Sequence, residues 1–389
     1  MANRKRTNIR QIAILGLGQE GQSLLSFLKK EGQYRFSEIW VLDRDPRVKK
    51  DKKIKGVHWQ TGPQYLKNLN RFEIIFRSPG IPFITKEIQK AIRHGAIVTS
   101  STKIFFSHCA YLKKPRLIGI TGTKGKGTTS ALLTEILRKT GFKVILAGNI
   151  GKPMLEVMAS AKKSDFIVLE LSSFQLQDLD ISPEVAGILD IFPDHLDSHK
   201  TLQEYYNAKS NIVRHQTKEN VVFYFTSNKE SKAIAHKSKG IKIGVTPISE
   251  GVKKNYDMAR AIAQYLGCPS PIIEATITSF KGLEHRLEKV GKIKNILFYN
   301  DSAATNPEAT AAAIRSFKNP SVVILGGRDK NLDYTPLQSA IKNSKAAYAV
   351  IFGENYPKIE KTLRTIVPIY KAKDLKDAVE MAFQKAGQI

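Results

Sequence analysis

Residues Leu117–Leu137 read LIGITGTKGKGTTSALLTEIL, and the way this stretch divides decides the fold. An apolar run of strand type ends at Gly122. Glycines then flank a lysine, and hydroxyl residues lead into a pattern of helical period. Strand, glycine-rich loop and helix in that order place backbone amides where they can wrap phosphate oxygens, with Lys126 able to reach a β- or γ-phosphate. Gly127, however, stands where such a loop normally carries the Ser or Thr that ligates Mg²⁺. Thr128 and Thr129 follow one and two positions later. Three readings stay open at this point: a phosphate site lacking a ligand, one built with a shifted hydroxyl, or a plain glycine-rich turn bearing a surface lysine.

The pattern extends outward from this loop. Apolar runs such as QIAILGLG, EIWVLD, EIIFRSPG, KVILAGN, DFIVLELSS, VAGILDIF, NVVFYF, SVVILGG and YAVIFG alternate with amphipathic segments. That βαβ rhythm predicts an α/β protein with parallel sheets covered by helices on both faces. With 389 residues the chain exceeds one ordinary core. The basic LKKPR stretch near Lys113 and the GLEHRLEKV stretch near His285 suggest boundaries, giving three α/β domains over 1–112, 113–284 and 285–389.

Composition narrows the function classes. The chain is 42% hydrophobic and 25% charged, as folded soluble proteins are, and it has no apolar run of about 18 residues that would cross a bilayer. No membrane association is expected, and the cytoplasm is the default location. Cys109 and Cys268 lack metal-ligand spacing and read as reduced thiols. The net charge of +27 raises the question of nucleic acid, but the Lys and Arg are scattered and accompany no nucleic-acid motif. A solvated basic surface that attracts polyphosphates is the simpler expectation.

Two further constellations carry chemistry. In the first domain, Gly16, Gly18 and Gly21 have GxGxxG spacing between a strand and a helix, and Asp43 ends the next strand. Such glycines let amides approach a diphosphate, and such an acid can bind a ribose hydroxyl. A nicotinamide site and a merely tight turn are both compatible with the spacing. RSPGI, with Ser78 and Gly80, adds a turn at a strand end, where α/β ligands sit. In the second domain, Glu170 ends an apolar strand, and a buried carboxylate there is costly unless it meets a cation. Asp194, His195, Asp197 and His199 follow another strand, with Lys209 on the next helix. Single histidines of this kind are usually packing residues; grouped at strand ends beside the Lys126 loop, they form a candidate site.

Taken together, GLGQEGQS, SPGI, TGTKGKGTT, AGNIG, LELSSFQL, DHLDSH, NAK, GLEHRLE, NDSAATN and GGRDKNLDY resemble the Mur ligase family over nearly the whole chain. LELSSFQL is typical of its D-glutamate-adding member. The resemblance implies three domains: a Rossmann-like UDP-binding domain, a central P-loop ATPase domain and a Rossmann-like C-terminal domain. It implies an ATP-dependent amide ligase of peptidoglycan precursor synthesis, acting through an acyl phosphate on UDP-N-acetylmuramoyl-L-alanine and D-glutamate, as a monomer.

Carried over by position, Gly16, Gly18, Gly21, Asp43, Ser78, Gly80 and Asn149 would contact the nucleotide-sugar, and Lys330 the incoming amino acid. Gly122, Thr123, Lys124, Gly125, Lys126, Gly127, Thr128, Thr129, Asn255, Arg286 and Asp301 would hold ATP. Thr128 and Glu170 would ligate one Mg²⁺; His195 and a carbamylated Lys209 would hold a second. Lys126, His195 and Lys209 would be the catalytic group. The chain departs from the family pattern at Gly127, at Met258 in KNYDM where relatives carry a second Asn, and at Ala303 where they carry Lys. Relatives also continue beyond the position of Ile389 with a strand and an SPAxxSFD loop, so the C-terminal domain is expected to be shorter here. A folylpolyglutamate synthase-like ligase, whose loop carries Lys-Gly-Ser, and a non-catalytic nucleotide-sugar-binding protein are the alternatives.

Overall fold

The computed structural model describes residues 9–30, 36–48, 56–112, 115–193, 199, 201–249, 253–304, 306–329 and 332–389. The chain separates into two compact units, Met1–Phe280 and Lys281–Ile389.

The first unit carries two parallel sheets. One has strands β1 (Ile9–Leu15), β2 (Phe36–Asp43), β3 (Val57–Thr61), β4 (Ile74–Arg77) and β5 (Ile97–Thr99), in the order β3-β2-β1-β4-β5. Helices α1 (Gln19–Lys30), α2 (Lys86–Arg93) and α3 (Ser101–Ala110) accompany it. Apolar side chains are buried on both of its faces, Ala13 and Leu15 on one and Ile12 and Ile14 on the other. Successive residues point to opposite faces, so a strand covered on both sides reads as a continuous apolar run.

The other sheet is formed by β6 (Arg116–Thr121), β7 (Val144–Gly148), β8 (Phe166–Glu170), β9 (Val185–Ile188), β10 (Val221–Phe225) and β11 (Ile241–Val245), ordered β11-β10-β9-β6-β8-β7. Around it lie α4 (Lys126–Lys139), α5 (Met154–Ala161), α6 (Ser173–Leu176), α7 (Leu202–Arg214), α8 (Lys229–Ala235), α9 (Lys254–Tyr265) and α10 (Ser270–Ser279). β6 lies between β8 and β9, with Ile120 opposite Glu170 on one side and Gly187 on the other. The glycine-rich loop therefore leaves the sheet where strand order reverses, the position at which open α/β sheets offer a crevice.

The second unit opens with a hairpin of β12 (Glu288–Ile293) and β13 (Ile296–Asn300). Its two turn residues, Lys294 and Asn295, both have positive φ, the backbone that a tight hairpin with right-handed twist needs. A parallel sheet follows, β14 (Ser321–Gly327), β15 (Ala346–Gly353) and β16 (Ile369–Lys371), with α11 (Pro307–Ser316), α12 (Thr335–Lys342), α13 (Tyr356–Leu363) and α14 (Leu375–Ala386).

The apolar runs quoted above all coincide with strands. Sequence reading did not mark β3, β5, β11 and β16, four of the six outer strands of the parallel sheets, whereas the outer strands β7 and β14 were marked. An outer strand needs no continuous apolar run, and β11 shows this in the exposure of Ile241 and Lys242. The hairpin strands β12 and β13 were not marked either. Among the described residues no helix is long and apolar enough to cross a membrane.

Candidate active site

The loop after β6 is locked from below. Gly125 caps α4 with φ of +82°, a backbone that favours glycine. A side chain on it would run into Asn255, and one on Gly122 would meet Leu189. The Thr123 amide donates to the Asp190 carbonyl at 2.8 Å, and its hydroxyl lies 2.9 Å from the Tyr205 hydroxyl. The N-cap residue of α4, Gly125, has no side chain to cap its first turn, so the amides there face the loop as an anion site. Lys126 folds back over the loop, donating to the carbonyls of Gly122 at 3.1 Å and Thr123 at 3.0 Å.

The two threonines after Gly127 part company. Thr129 is fully buried, and its hydroxyl donates to the Asn255 carbonyl at 3.3 Å. Thr128 is half-buried. Asn255 therefore packs on the loop. Met258 is fully buried in the core beneath it, so its thioether is a packing group.

Glu170 ends β8 and is 2% exposed. Its Oε1 accepts from Asn149 Nδ2 at 3.1 Å, and the Asn149 amide donates to the Glu170 carbonyl at 3.0 Å. No described residue donates to its enclosed Oε2. A buried carboxylate oxygen without a donor is costly, and a hard divalent cation is the partner that suits it. Lys209, 2% exposed on α7, sends its Nζ to the Gly122 carbonyl at 2.8 Å, with the Tyr205 ring 4.8 Å away. Asp194, His195 and Asp197 lie outside the described residues, as does Lys330. His199 is buried, stacked on Phe174 and 3.1 Å from the Ser173 hydroxyl, which is a packing environment. Among the described residues no group of three or more His, Cys, Asp or Glu is assembled for a metal.

In the first sheet, Gly16 turns with φ of +82°, and a side chain on Gly21 would strike the Gly16 carbonyl. Asp43 holds this loop from the neighbouring strand: its two oxygens accept the amides of Leu17 at 2.7 Å and Asp45 at 2.8 Å. The Ser78 hydroxyl donates to the Gly16 carbonyl at 3.0 Å. Around Gly18 and Gly80 there is open space. Gly16, Gly18, Asp43 and Ser78 thus form one loop cluster with a free face.

In the second unit, Asp301 Oδ1 accepts the Leu287 amide at 3.0 Å, and the Ala303 amide donates to the His285 carbonyl at 2.9 Å. These bonds bring Arg286 and Asp301 together. Burial pushes the Asp301 carboxyl above the usual carboxylate range, against smaller pulls from the Leu287 amide and the Arg286 charge. Ala303 takes part through its backbone.

Family models match in three consecutive parts: a Mur ligase MurD-like N-terminal domain over residues 10–100, a Mur ligase middle domain over 120–299, and a Mur ligase glutamate ligase domain over 285–388. The UDP-N-acetylmuramoylalanine–D-glutamate ligase of Acetivibrio thermocellus is 33% identical, across 99% of this chain and 91% of that protein. The chain belongs to the Mur ligase family. A ligase of the same description from Clostridium acetobutylicum is 29% identical over 95% of this chain and 88% of its own. Among solved structures, the fold is shared with the UDP-N-acetylmuramate–alanine ligase of Thermotoga maritima, with a TM-score of 0.57 at 16% identity over 94% of this chain and 91% of that one. As a Mur ligase the protein is an ATP-dependent amide ligase that uses Mg²⁺, and the donor-less oxygen of Glu170 fits that ion.

Several residues around this candidate site were not singled out by sequence. Asp190, just beyond β9, receives Lys254 Nζ on both carboxylate oxygens, at 2.8 and 2.7 Å, beside the loop it also holds through its carbonyl. Arg77 is buried at the end of β4 against Asp178. The signal was present in GILDIF and EIIFRS, where a charge interrupts an apolar run, but its partner lies far along the chain.

Proposed function

We infer that this ligase joins D-glutamate to UDP-N-acetylmuramoyl-L-alanine, releasing ADP and phosphate, in peptidoglycan precursor synthesis. The observation that carries the reading is the convergence of Lys126 and Lys209 on the Gly122 carbonyl, two residues beyond the Ile120–Glu170 pairing. Two cations, a helix N-terminus and one donor-less carboxylate oxygen around a glycine-rich loop suit a nucleoside triphosphate and its metal.

A carboxylate is a poor acyl donor, so the terminal carboxylate of the nucleotide-sugar first takes the γ-phosphoryl group of ATP. Lys126 neutralises charge on the transferring phosphoryl, and the α4 amides hold its neighbours. The D-glutamate amine then attacks the acyl phosphate, phosphate leaves, and an amide remains. Mg²⁺, held by Glu170 and Thr128 at one site and by His195 with carbamylated Lys209 at a second, would supply further charge neutralisation. Gly16, Gly18, Gly21, Asp43, Ser78, Gly80 and Asn149 bind the nucleotide-sugar in this reading. Asn255, Arg286 and Asp301 serve ATP, and Lys330 serves D-glutamate. The proposed working unit is a monomer in the cytoplasm, consistent with the free thiols of Cys109 and Cys268, divided into domains near residues 112 and 284.

Phosphate release should require ATP, Mg²⁺, the nucleotide-sugar and D-glutamate together. Equal release with L-glutamate, or with a folate in place of the nucleotide-sugar, would overturn the assignment.

A further inference from the structure

Arg77 has a 0% exposed side chain, and Asp178, 101 residues later, has one that is 4% exposed. A buried arginine needs its donors engaged, and here the two terminal nitrogens are, while no described residue accepts from Nε. Nη1 donates to the Ile81 carbonyl at 2.8 Å; Nη2 donates to the Phe174 carbonyl at 3.0 Å and to Asp178 Oδ1 at 2.5 Å. The planar fork fixes the direction of these bonds. One bond closes the Ser78–Ile81 turn on itself, and the other two grip the segment that leaves β8.

Both ends of this grip lead to a binding loop. On one side, the Ser78 amide donates to the Leu15 carbonyl at 3.1 Å and its hydroxyl to Gly16 at 3.0 Å, so the glycine loop of the first sheet moves with Arg77. On the other, Phe174 lies four residues beyond Glu170. The Leu171 amide donates to the Ile120 carbonyl at 2.9 Å, and its carbonyl accepts the Thr121 hydroxyl at 2.9 Å, immediately before the Lys126 loop. Lesser ties run parallel, among them Gln175 Nε2 to Glu20 Oε1 at 2.7 Å, the Phe83 amide to Gln177 Oε1 at 2.9 Å and Lys103 Nζ to Asp180 Oδ2 at 2.9 Å. A buried ion pair is a poor route to stability, since apolar residues of similar volume serve as well or better. Its fixed geometry is what distinguishes it.

We propose that Arg77 is a positioning residue, which sets the nucleotide-sugar loop of the first sheet against the Glu170 end of the second and so couples the two substrate sites. The proposal rests on the ligase reading of the site. Phosphoryl transfer requires the substrate carboxylate and the γ-phosphoryl group to meet in line. The first is delivered from one sheet and the second from the other, and a misplacement of about 1 Å costs on the order of a hundredfold in rate.

The test is the double variant Arg77→Met with Asp178→Leu, which removes both charges and keeps the volume filled. Its melting temperature reports folding, and nucleotide affinity is measured with ADP and with UDP-N-acetylmuramoyl-L-alanine, each in the absence and presence of the other. We expect kcat to fall by about a hundredfold while the Kd for ADP alone stays within twofold, and the factor by which each ligand alters the other's affinity to collapse to one. A folded variant with kcat and this factor both within twofold of the unaltered protein overturns the proposal. If the double variant does not fold, Arg77→Lys decides: it keeps the charge but cannot span Ile81, Phe174 and Asp178, so an unchanged coupling factor and kcat there overturn the proposal equally. Absence of phosphate release from the unaltered protein would instead sink the ligase reading.

Discussion

Lys209 Nζ lies 2.8 Å from the Gly122 carbonyl, at the root of the phosphate loop. The side chain is almost wholly buried, so it was carried to this point by the fold and not by attraction to solvent. Reaction of that amine with carbon dioxide would replace a donor cation by an acceptor anion at the phosphate loop. We therefore expect Lys209→Met to lower amide-forming kcat by at least about a hundredfold, the scale of losing one well-placed electrostatic group. Activity of the unaltered enzyme should also fall in carbonate-depleted buffer and return with bicarbonate. Indifference to bicarbonate would argue against the carbamate.

The two hydroxyls beyond Gly127 should behave differently. Thr129 spends its hydroxyl on the Asn255 carbonyl inside the core, so Thr129→Ala is expected to cost about 1 kcal/mol of stability with turnover nearly intact. Thr128→Ala should leave the melting temperature unchanged and reduce turnover by at least about tenfold, a loss that raised Mg²⁺ partly restores. Equal, small effects on turnover would show that the metal is held without this loop's hydroxyl.

The Lys254–Asp190 pair braces the loop from the side, with each side chain about one-fifth exposed. Lys254→Met would leave the Asp190 carboxylate half-enclosed without its cation. The expected cost is on the order of 2 kcal/mol, between the ranges for exposed and fully buried pairs, together with a higher KM for ATP. Denaturant melts and initial rates on Lys254→Met, Asp190→Asn and the double variant would measure the coupling. Additive effects would mean the pair contributes nothing as a pair.

Glu20 offers a pH signature. Burial pushes its carboxyl above the usual carboxylate range, against smaller pulls from the Gln175 amide and the Arg77 charge. An acid with a raised folded-state value penalises the folded state once the unfolded chain ionises. The penalty is absent below about pH 4 and grows as pH rises toward the folded value, after which it is constant. Glu20→Gln keeps an acceptor for Gln175 and removes this penalty. It should raise the melting temperature at pH 7 and lose that advantage near pH 3; a gain that does not vary with pH would refute the argument.

Much of this protein was written locally. Strands β1, β2, β4, β6 to β10, β14 and β15 announce themselves because a parallel strand covered on both faces must be apolar along its length. Gly122, Gly125 and Lys126 announce the loop because strand, turn and helix are contiguous there. The motifs, in order, gave the family. The outer strands β3, β5, β11 and β16 were illegible, since they are three residues long or carry polar residues, and only their pairing in the finished sheet identifies them.

Tertiary structure alone decided which of Thr128 and Thr129 is spent on the core. It alone seated Lys209 on Gly122, 87 residues away, gave Asp190 its lysine and Arg77 its aspartate, and put His199 among aromatic rings while leaving Glu170 Oε2 without a donor among the described residues. Each depends on the distance between side chains that the chain brings together only after its sheets are complete. A charge inside an apolar run tells the reader that a partner exists; only the packed sheets determine which residue it is.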